Sequence, residues 1–162
     1  MKRIDINWKT EWKPLAISVG IALAVGGLSS LLTSGSMEAF EQLQQPPLSP
    51  PGVLFPIVWT ILYTLMGISA YLVWRTKSEL RDGTLRLYVV QLAVNFIWPL
   101  LFFRAQAFGF AFFWLLLLWA LVVALIFRFS DIEPIAGWLQ VPYLAWLTFA
   151  AYLNFGVLLL NG

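Results

Sequence analysis

The chain has 162 residues, 60% hydrophobic and 11% charged, with a formal net charge of +2, no cysteine and no histidine. Lacking those two residue types, it can build no disulfide, thiol centre, iron–sulfur cluster, zinc site or histidine-ligated haem. Its apolar runs are too long for a soluble core and lack the alternation of barrel strands, so an all-α integral membrane protein is expected.

A helix rises about 1.5 Å per residue and the hydrocarbon slab is roughly 30 Å thick, so about 20 apolar residues cross it. Five such spans are predicted, at 14–33, 53–75, 86–103, 105–128 and 134–160, with one long outer loop at 34–52. They use up most of residues 1–162 and leave a single five-helix transmembrane domain. The first span carries Ala16, Gly20 and Ala24 at spacing four, with Gly27 near the same stripe. Small residues so placed let helices approach closely in lipid. A cleaved signal peptide over 1–32 is disfavoured, because signal cores run about 7–15 residues and Pro14–Leu32 has 19.

The loop that follows ends Gln-Gln-Pro-Pro-Leu-Ser-Pro-Pro-Gly, and its prolines at 46, 47, 50 and 51 forbid a regular helix there. Met37–Leu43 has room for one or two helical turns. A loop of this length is expected to act as a lid over a cavity rather than as a passive connector. The remaining connections are short. Thr76–Arg86 is a charged hairpin expected to turn at Asp82-Gly83, and Pro134 suits a helix start. Short connections make successive helices antiparallel neighbours in an up-down bundle.

Basic residues are unevenly placed. Lys2, Arg3, Lys9 and Lys13 precede the first span, Arg75, Lys77, Arg81 and Arg86 lie in the second loop, and Arg128 lies in the fourth. With the N-terminus inside, only Arg104 falls on the outer side, which predicts an N-in, C-out orientation. These charges flank membrane spans, so nucleic acid is not an expected partner.

Polar groups inside a membrane usually point into the bundle. Gln91, Asn95, Trp98 and Phe102 share one face of span three, and Tyr143, Trp146, Ala150 and Asn154 one face of span five. Trp59, Tyr63, Met66 and Ala70 do the same in span two. Trp8, Trp12, Trp74 and Trp138 read as interfacial anchors, and Trp114 and Trp119 as contacts with lipid or neighbouring helices. Trp59 and Trp146 lie deeper, each with a polar partner on its face, and read equally as cavity lining or as packing. Asn95 and Asn154 read also as interhelical hydrogen-bonding groups. Pro99 cannot donate to the Asn95 carbonyl, so span three should bend there. No Asp, Glu, Lys or Arg lies mid-span, so an ion-coupled pump lacks its usual parts. The bound species is expected to be large, flat and mostly apolar.

The chain resembles the TspO/translocator protein (TspO/MBR, peripheral-type benzodiazepine receptor) family. The resemblance is carried by Pro46-Pro47-Leu48-Ser49-Pro50-Pro51-Gly52, then Pro56-Ile57-Val58-Trp59-Thr60-Ile61-Leu62-Tyr63, Met66-Gly67 and Ala70–Trp74. Gln91–Trp98 in span three, with Pro142–Ala150 and Leu153-Asn154 in span five, continue it in order and spacing. It implies a homodimer in a bacterial cytoplasmic membrane, with a pocket below the first loop for porphyrins and other tetrapyrroles, and no cofactor required. Family members also take synthetic benzodiazepine or isoquinoline ligands and, in animals, sterols. Carried over by position, Trp59, Tyr63, Asn95, Trp98, Phe102, Trp146 and Ala150 would line the pocket, with Phe40 reaching it from the loop. Trp59 and Trp146 look like the pair proposed to support light-dependent porphyrin oxidation.

The chain departs from the family pattern at Ala39-Phe40, where a Trp-Tyr pair is frequent, and at Leu48, which replaces an aromatic. The sterol-recognition pattern is absent, its tyrosine and basic positions being Phe155 and Leu159. A porphyrin-binding receptor is thus the expected function, with a light- and oxygen-dependent porphyrin-degrading enzyme or a passive transporter as equal alternatives.

Overall fold

The computed structural model describes residues 4–162; Lys2 and Arg3, two of the charges behind the expected orientation, lie outside the described residues. Seven α-helices follow in order: α1 Trp8–Thr33, α2 Met37–Glu41, α3 Leu54–Arg75, α4 Arg81–Pro99, α5 Phe108–Ile132, α6 Pro134–Leu139 and α7 Val141–Asn161. No strand occurs among the described residues. Five helical stretches, α6 and α7 counted together, are long and apolar enough to cross a bilayer, so the protein is an integral membrane bundle.

α1 begins six residues before the predicted span. Asn7 caps it reciprocally with Glu11: the Asn7 side chain accepts from the Lys9 N–H at 3.3 Å, and Glu11 Oε2 accepts from the Asn7 N–H at 2.6 Å. Glu11 Oε1 also takes the Tyr71 hydroxyl at 2.8 Å and pairs with Arg75 Nε at 2.9 Å, which fastens the start of α1 to the end of α3. Further along, Ser18 Oγ donates to the Gly67 carbonyl at 2.7 Å. A Cβ on Gly67 would collide with the Val19 backbone, so glycine sets how closely α1 and α3 approach. The face of α1 turned to the bundle therefore carries Ser18, Ala22, Gly26 and Ser29. Of the predicted small-residue stripe, Ala16, Gly20 and Ala24 are exposed away from that face, and Gly27 is exposed beside the cavity described below.

The second hairpin turns earlier than expected. Asp82 and Gly83 lie in the first turn of α4, and the turn itself falls within 77–80. Ser78 Oγ accepts the Leu80 N–H at 3.2 Å, and an acidic first turn suits the positive helix N-terminus. At its other end the regular α-helix stops at Pro99. The chain passes there into a π-helical turn over Leu100–Arg104, with the Ala105 N–H reaching the Leu100 carbonyl at 2.9 Å. The fifth span is also broken. Pro142 has no N–H, and α6 ends at Leu139 before α7 resumes at Val141.

α5 forms the dense side of the bundle against α4, α6 and α7. Leu115, Leu118, Val122, Leu125 and Phe129, spaced 3, 4, 3 and 4 along α5, are at most 1% exposed. α1 packs mainly on α3 and also touches α4. The opposite corner, among α1, α3 and α4, is where the bundle opens.

Candidate functional site

α1 brings small and hydroxyl residues to that corner: Gly26, Gly27, Ser29, Ser30 and Thr33. α3 brings Phe55, Trp59, Thr60 and Tyr63, and α4 brings Asn95, Trp98 and Pro99. Between them lies a cavity of about 400 Å3, within the roughly 300–1,000 Å3 of small-molecule sites. Ser34, Met37 and Gly52 of the long loop and Phe103 of the π-helical turn complete its lining. No charged residue lines it. Gly27 and Ser30 on α1 and Pro56 and Thr60 on α3 are both lining and exposed, so the cavity opens sideways between these two helices.

Space exists here because, Leu23 apart, the side chains that α1 contributes to the wall are small. A Cβ on Gly26 would meet the Tyr63 ring, so that ring lies directly against the α1 backbone. The Tyr63 hydroxyl donates to Asn95 Oδ1 at 2.6 Å, Asn95 Nδ2 donates to the Tyr143 hydroxyl, and Tyr143 donates to Gln91 Oε1 at 2.9 Å. Gln91 Nε2 ends this run at Met66 Sδ, 3.9 Å away. Tyr63, Asn95, Tyr143 and Gln91 are buried, so the network satisfies groups that would otherwise be costly. Trp98 donates its indole N–H to Asn154 Oδ1 at 3.1 Å, and Asn154 Nδ2 holds the Phe108 carbonyl at 2.9 Å. The interhelical role read for both asparagines is what the structure shows.

Of the residues expected at the site, Trp59, Tyr63, Asn95 and Trp98 come together in the cavity wall. Phe102, Phe40, Trp146 and Ala150 lie outside that lining. Phe102 backs the wall, stacked on Trp98 at 5.2 Å. Phe40, from α2, inserts against Phe102 and Phe103 at 5.6 and 5.0 Å, so it anchors the loop rather than facing the hollow. Trp146 is half-buried and meets the edge of Phe55 at 5.9 Å, while Trp59 meets Tyr143 at 6.2 Å. Phe55 therefore separates Trp146 from the cavity. Ala150 is buried within the bundle.

The loop is fixed to α7 at the start of its proline run. Asn161 and Gln44 exchange two hydrogen bonds, of 3.0 and 2.7 Å, and the Tyr152 hydroxyl donates to the Pro47 carbonyl at 2.6 Å. Leu48 is 83% exposed and has φ of 68°, the left-handed value of a turn closed by the Ser49 N–H on the Pro46 carbonyl.

Sequence reasoning missed the whole α1 wall, Phe55 and Phe103. The signal was present as Gly26-Gly27, Ser29-Ser30 and Thr33-Ser34, a cluster of small polar residues inside an apolar span. Trp8, Trp12, Trp74 and Trp138 are each more than half exposed, in keeping with interfacial anchoring. Trp114 and Trp119 bond to neighbouring helices, through the Val94 carbonyl at 2.8 Å and Thr148 Oγ1 at 2.9 Å. Phe155 and Leu159, at the positions of the sterol pattern, are exposed on α7.

Comparison with known proteins bears on this site. The family model described as TspO/MBR family matches residues 18–160. The chain is 38% identical over 151 residues to Tryptophan-rich protein TspO of Chlorobaculum tepidum, covering 91% of this chain and 95% of that one. It is 36% identical over 149 residues to Translocator protein of Ovis aries, covering 89% and 88%. A protein of Cereibacter sphaeroides named Tryptophan-rich sensory protein is 36% identical over 124 residues, covering 76% and 77%.

Proposed function

The chain belongs to the TspO/MBR family, and on that premise we propose that it is a receptor- or sensor-like membrane protein binding tetrapyrroles and similar flat, apolar ligands. The observation that carries this reading is the uncharged cavity roofed by the loop and walled by Phe55, Trp59, Tyr63, Trp98 and Phe103. Aromatic faces supply stacking and apolar contact for a planar ring, and the few fixed polar atoms orient it. A ring of four pyrroles reaches past a hollow of about 400 Å3, and the sideways opening between α1 and α3 gives its outer edge somewhere to lie.

The names of these relatives, translocator protein and sensory protein, are compatible with a ligand-binding membrane protein. We place the chain in a bacterial cytoplasmic membrane, N-terminus inside, on its charge placement and its bacterial relatives. A homodimer is part of the same reading. The exposed stripe Ala16, Gly20 and Ala24 on α1 is the surface suited to close approach of a second copy.

The test is a fluorescence and absorbance titration of the purified protein with a panel of tetrapyrroles. Saturable quenching of tryptophan emission with one ligand per chain is expected; linear, unsaturable partitioning would overturn the reading. A second reading, light- and oxygen-dependent oxidation of the bound ring, draws on Trp59, whose ring lies 5.6 Å from that of Tyr63 and 6.2 Å from that of Tyr143. Illumination in oxygen should then give a product with the wild type that Trp59→Phe fails to give.

A further inference from the structure

Among the described residues, buried side-chain donors and acceptors are paired except at three positions. The Thr84 hydroxyl, the Tyr88 hydroxyl and both amide atoms of Gln140 are sealed from solvent and have no hydrogen-bond partner. These residues are 2, 6 and 0% exposed. Native proteins pair almost all such groups, so an orphaned set calls for a partner. Thr84 makes the contrast plain. Thr33, Thr60, Thr64 and Thr148 each donate to the carbonyl four residues back, at 3.0, 2.7, 2.8 and 2.9 Å. The Thr84 hydroxyl makes no such bond, although its own backbone N–H reaches the Leu80 carbonyl at 3.0 Å.

The three positions fall at one end of the same polar core. Short connections make successive helices antiparallel, so α4 and α7, both packed on α5, run in the same direction. Tyr143 of α7 joins them by donating to Gln91 of α4 at 2.9 Å. Tyr88 precedes Gln91 by three residues and Gln140 precedes Tyr143 by three, so both lie about one turn before that bond. Thr84 follows one turn further back on the same buried face of α4. α5 supports this placement. The Tyr88 ring lies 6.1 Å from that of Phe129, and a Cβ on Gly137 of α6 would meet the Ser130 hydroxyl and Ile126 carbonyl on that same stretch of α5.

We propose that Thr84, Tyr88 and Gln140 form a buried water site, separate from the aromatic cavity and independent of what that cavity holds. Two hydroxyls and one amide offer donors and acceptors together and no charge to hold an ion, which is the chemistry of a water bridging about three groups. As packed, the four atoms border almost no open space. The water is therefore admitted by a turn of the Gln140 side chain, which has three rotatable bonds and stands at the break between α6 and α7. Water held there lengthens the run through Tyr63, Asn95, Tyr143 and Gln91 into a polar column leading away from the cavity.

Water-edited solid-state NMR on the isotope-labelled full chain in liposomes tests this, since protons beside water gain its magnetisation first. Early transfer to the Gln140 side-chain amide should exceed severalfold that to the backbone amides of Leu118 and Leu125, both sealed on α5. Gln140→Met identifies the signal by removing it; should that variant fail to fold, correlations to Leu139 and Val141 identify it instead. Tyr88→Phe removes one of about three anchors and should lower the transfer about twofold or more. Thr84→Val reads the same loss should Tyr88→Phe not fold. Transfer to Gln140 no faster than to Leu118 and Leu125 would overturn the site, as would transfer that loss of either hydroxyl leaves unchanged.

Discussion

The two sides of the bundle use the same membrane solvent and reach opposite results. On the α5 side, Leu115, Leu118, Val122, Leu125 and Phe129 repeat at alternating spacings of three and four and close against α4, α6 and α7 with almost no exposure. On the α1 side, Gly26, Ser29 and Thr33 meet large rings from α3 and α4, and the mismatch in size leaves a hollow. In lipid there is little hydrophobic gain from bringing helices together, so van der Waals fit and hydrogen bonds decide. Branched aliphatic residues facing one another fill the interface. Small residues facing rings do so only where a ring lies directly against the backbone, as Tyr63 does at Gly26. The empty volume is thus a product of side-chain size on α1 and needs no special backbone.

That contrast can be broken from either side. Leu118→Ala on the dense face should cost about 3 kcal/mol in a reversible unfolding titration in mixed micelles, through lost packing contacts. Its ligand affinity should stay at the wild-type value. Next in size, Gly26→Ala places a methyl group on the Tyr63 ring, and the forced shift should cost about 1–3 kcal/mol. The same change breaks the Tyr63–Asn95 bond, so tetrapyrrole quenching should weaken in parallel. Trp59→Ala should lower tetrapyrrole affinity at least tenfold, about 1.4 kcal/mol. Trp146→Ala, behind Phe55, should lower it by much less. Equal losses in the two tryptophan variants would show that Trp146 reaches the ligand and that the lining changes on binding. Smallest of all, Leu48→Gly removes the left-handed strain of a side chain at φ of 68° and gains unfolded-chain freedom in exchange. A net stabilisation of about 0.5 kcal/mol, read as a slightly higher melting temperature, is expected.

The five crossings were readable because length and apolarity alone set them, and the family resemblance rested on motifs within them. Their ends were less so. Capping by Asn7 starts α1 ahead of the predicted span, α4 likewise begins earlier, at Arg81, and the backbone break before Pro142 divided a span that hydropathy shows as continuous. At the site, periodicity on α3 and α4 correctly grouped Trp59 with Tyr63 and Asn95 with Trp98. It could not tell which neighbouring helix each face would meet. That depended on close approach at Gly67 and Gly26, a property of pairs of helices that no single helix displays. Small residues on α1 drew notice as a packing stripe, yet the stripe that packs inside the protomer is the adjacent one.

The clasp between Asn161 and Gln44 has a practical consequence. Whatever is attached after Gly162 pulls on the loop that covers the cavity, two residues before its proline run. A fluorescent reporter or affinity handle fused there should shorten ligand residence times, and the same handle placed at the opposite terminus provides the fair control.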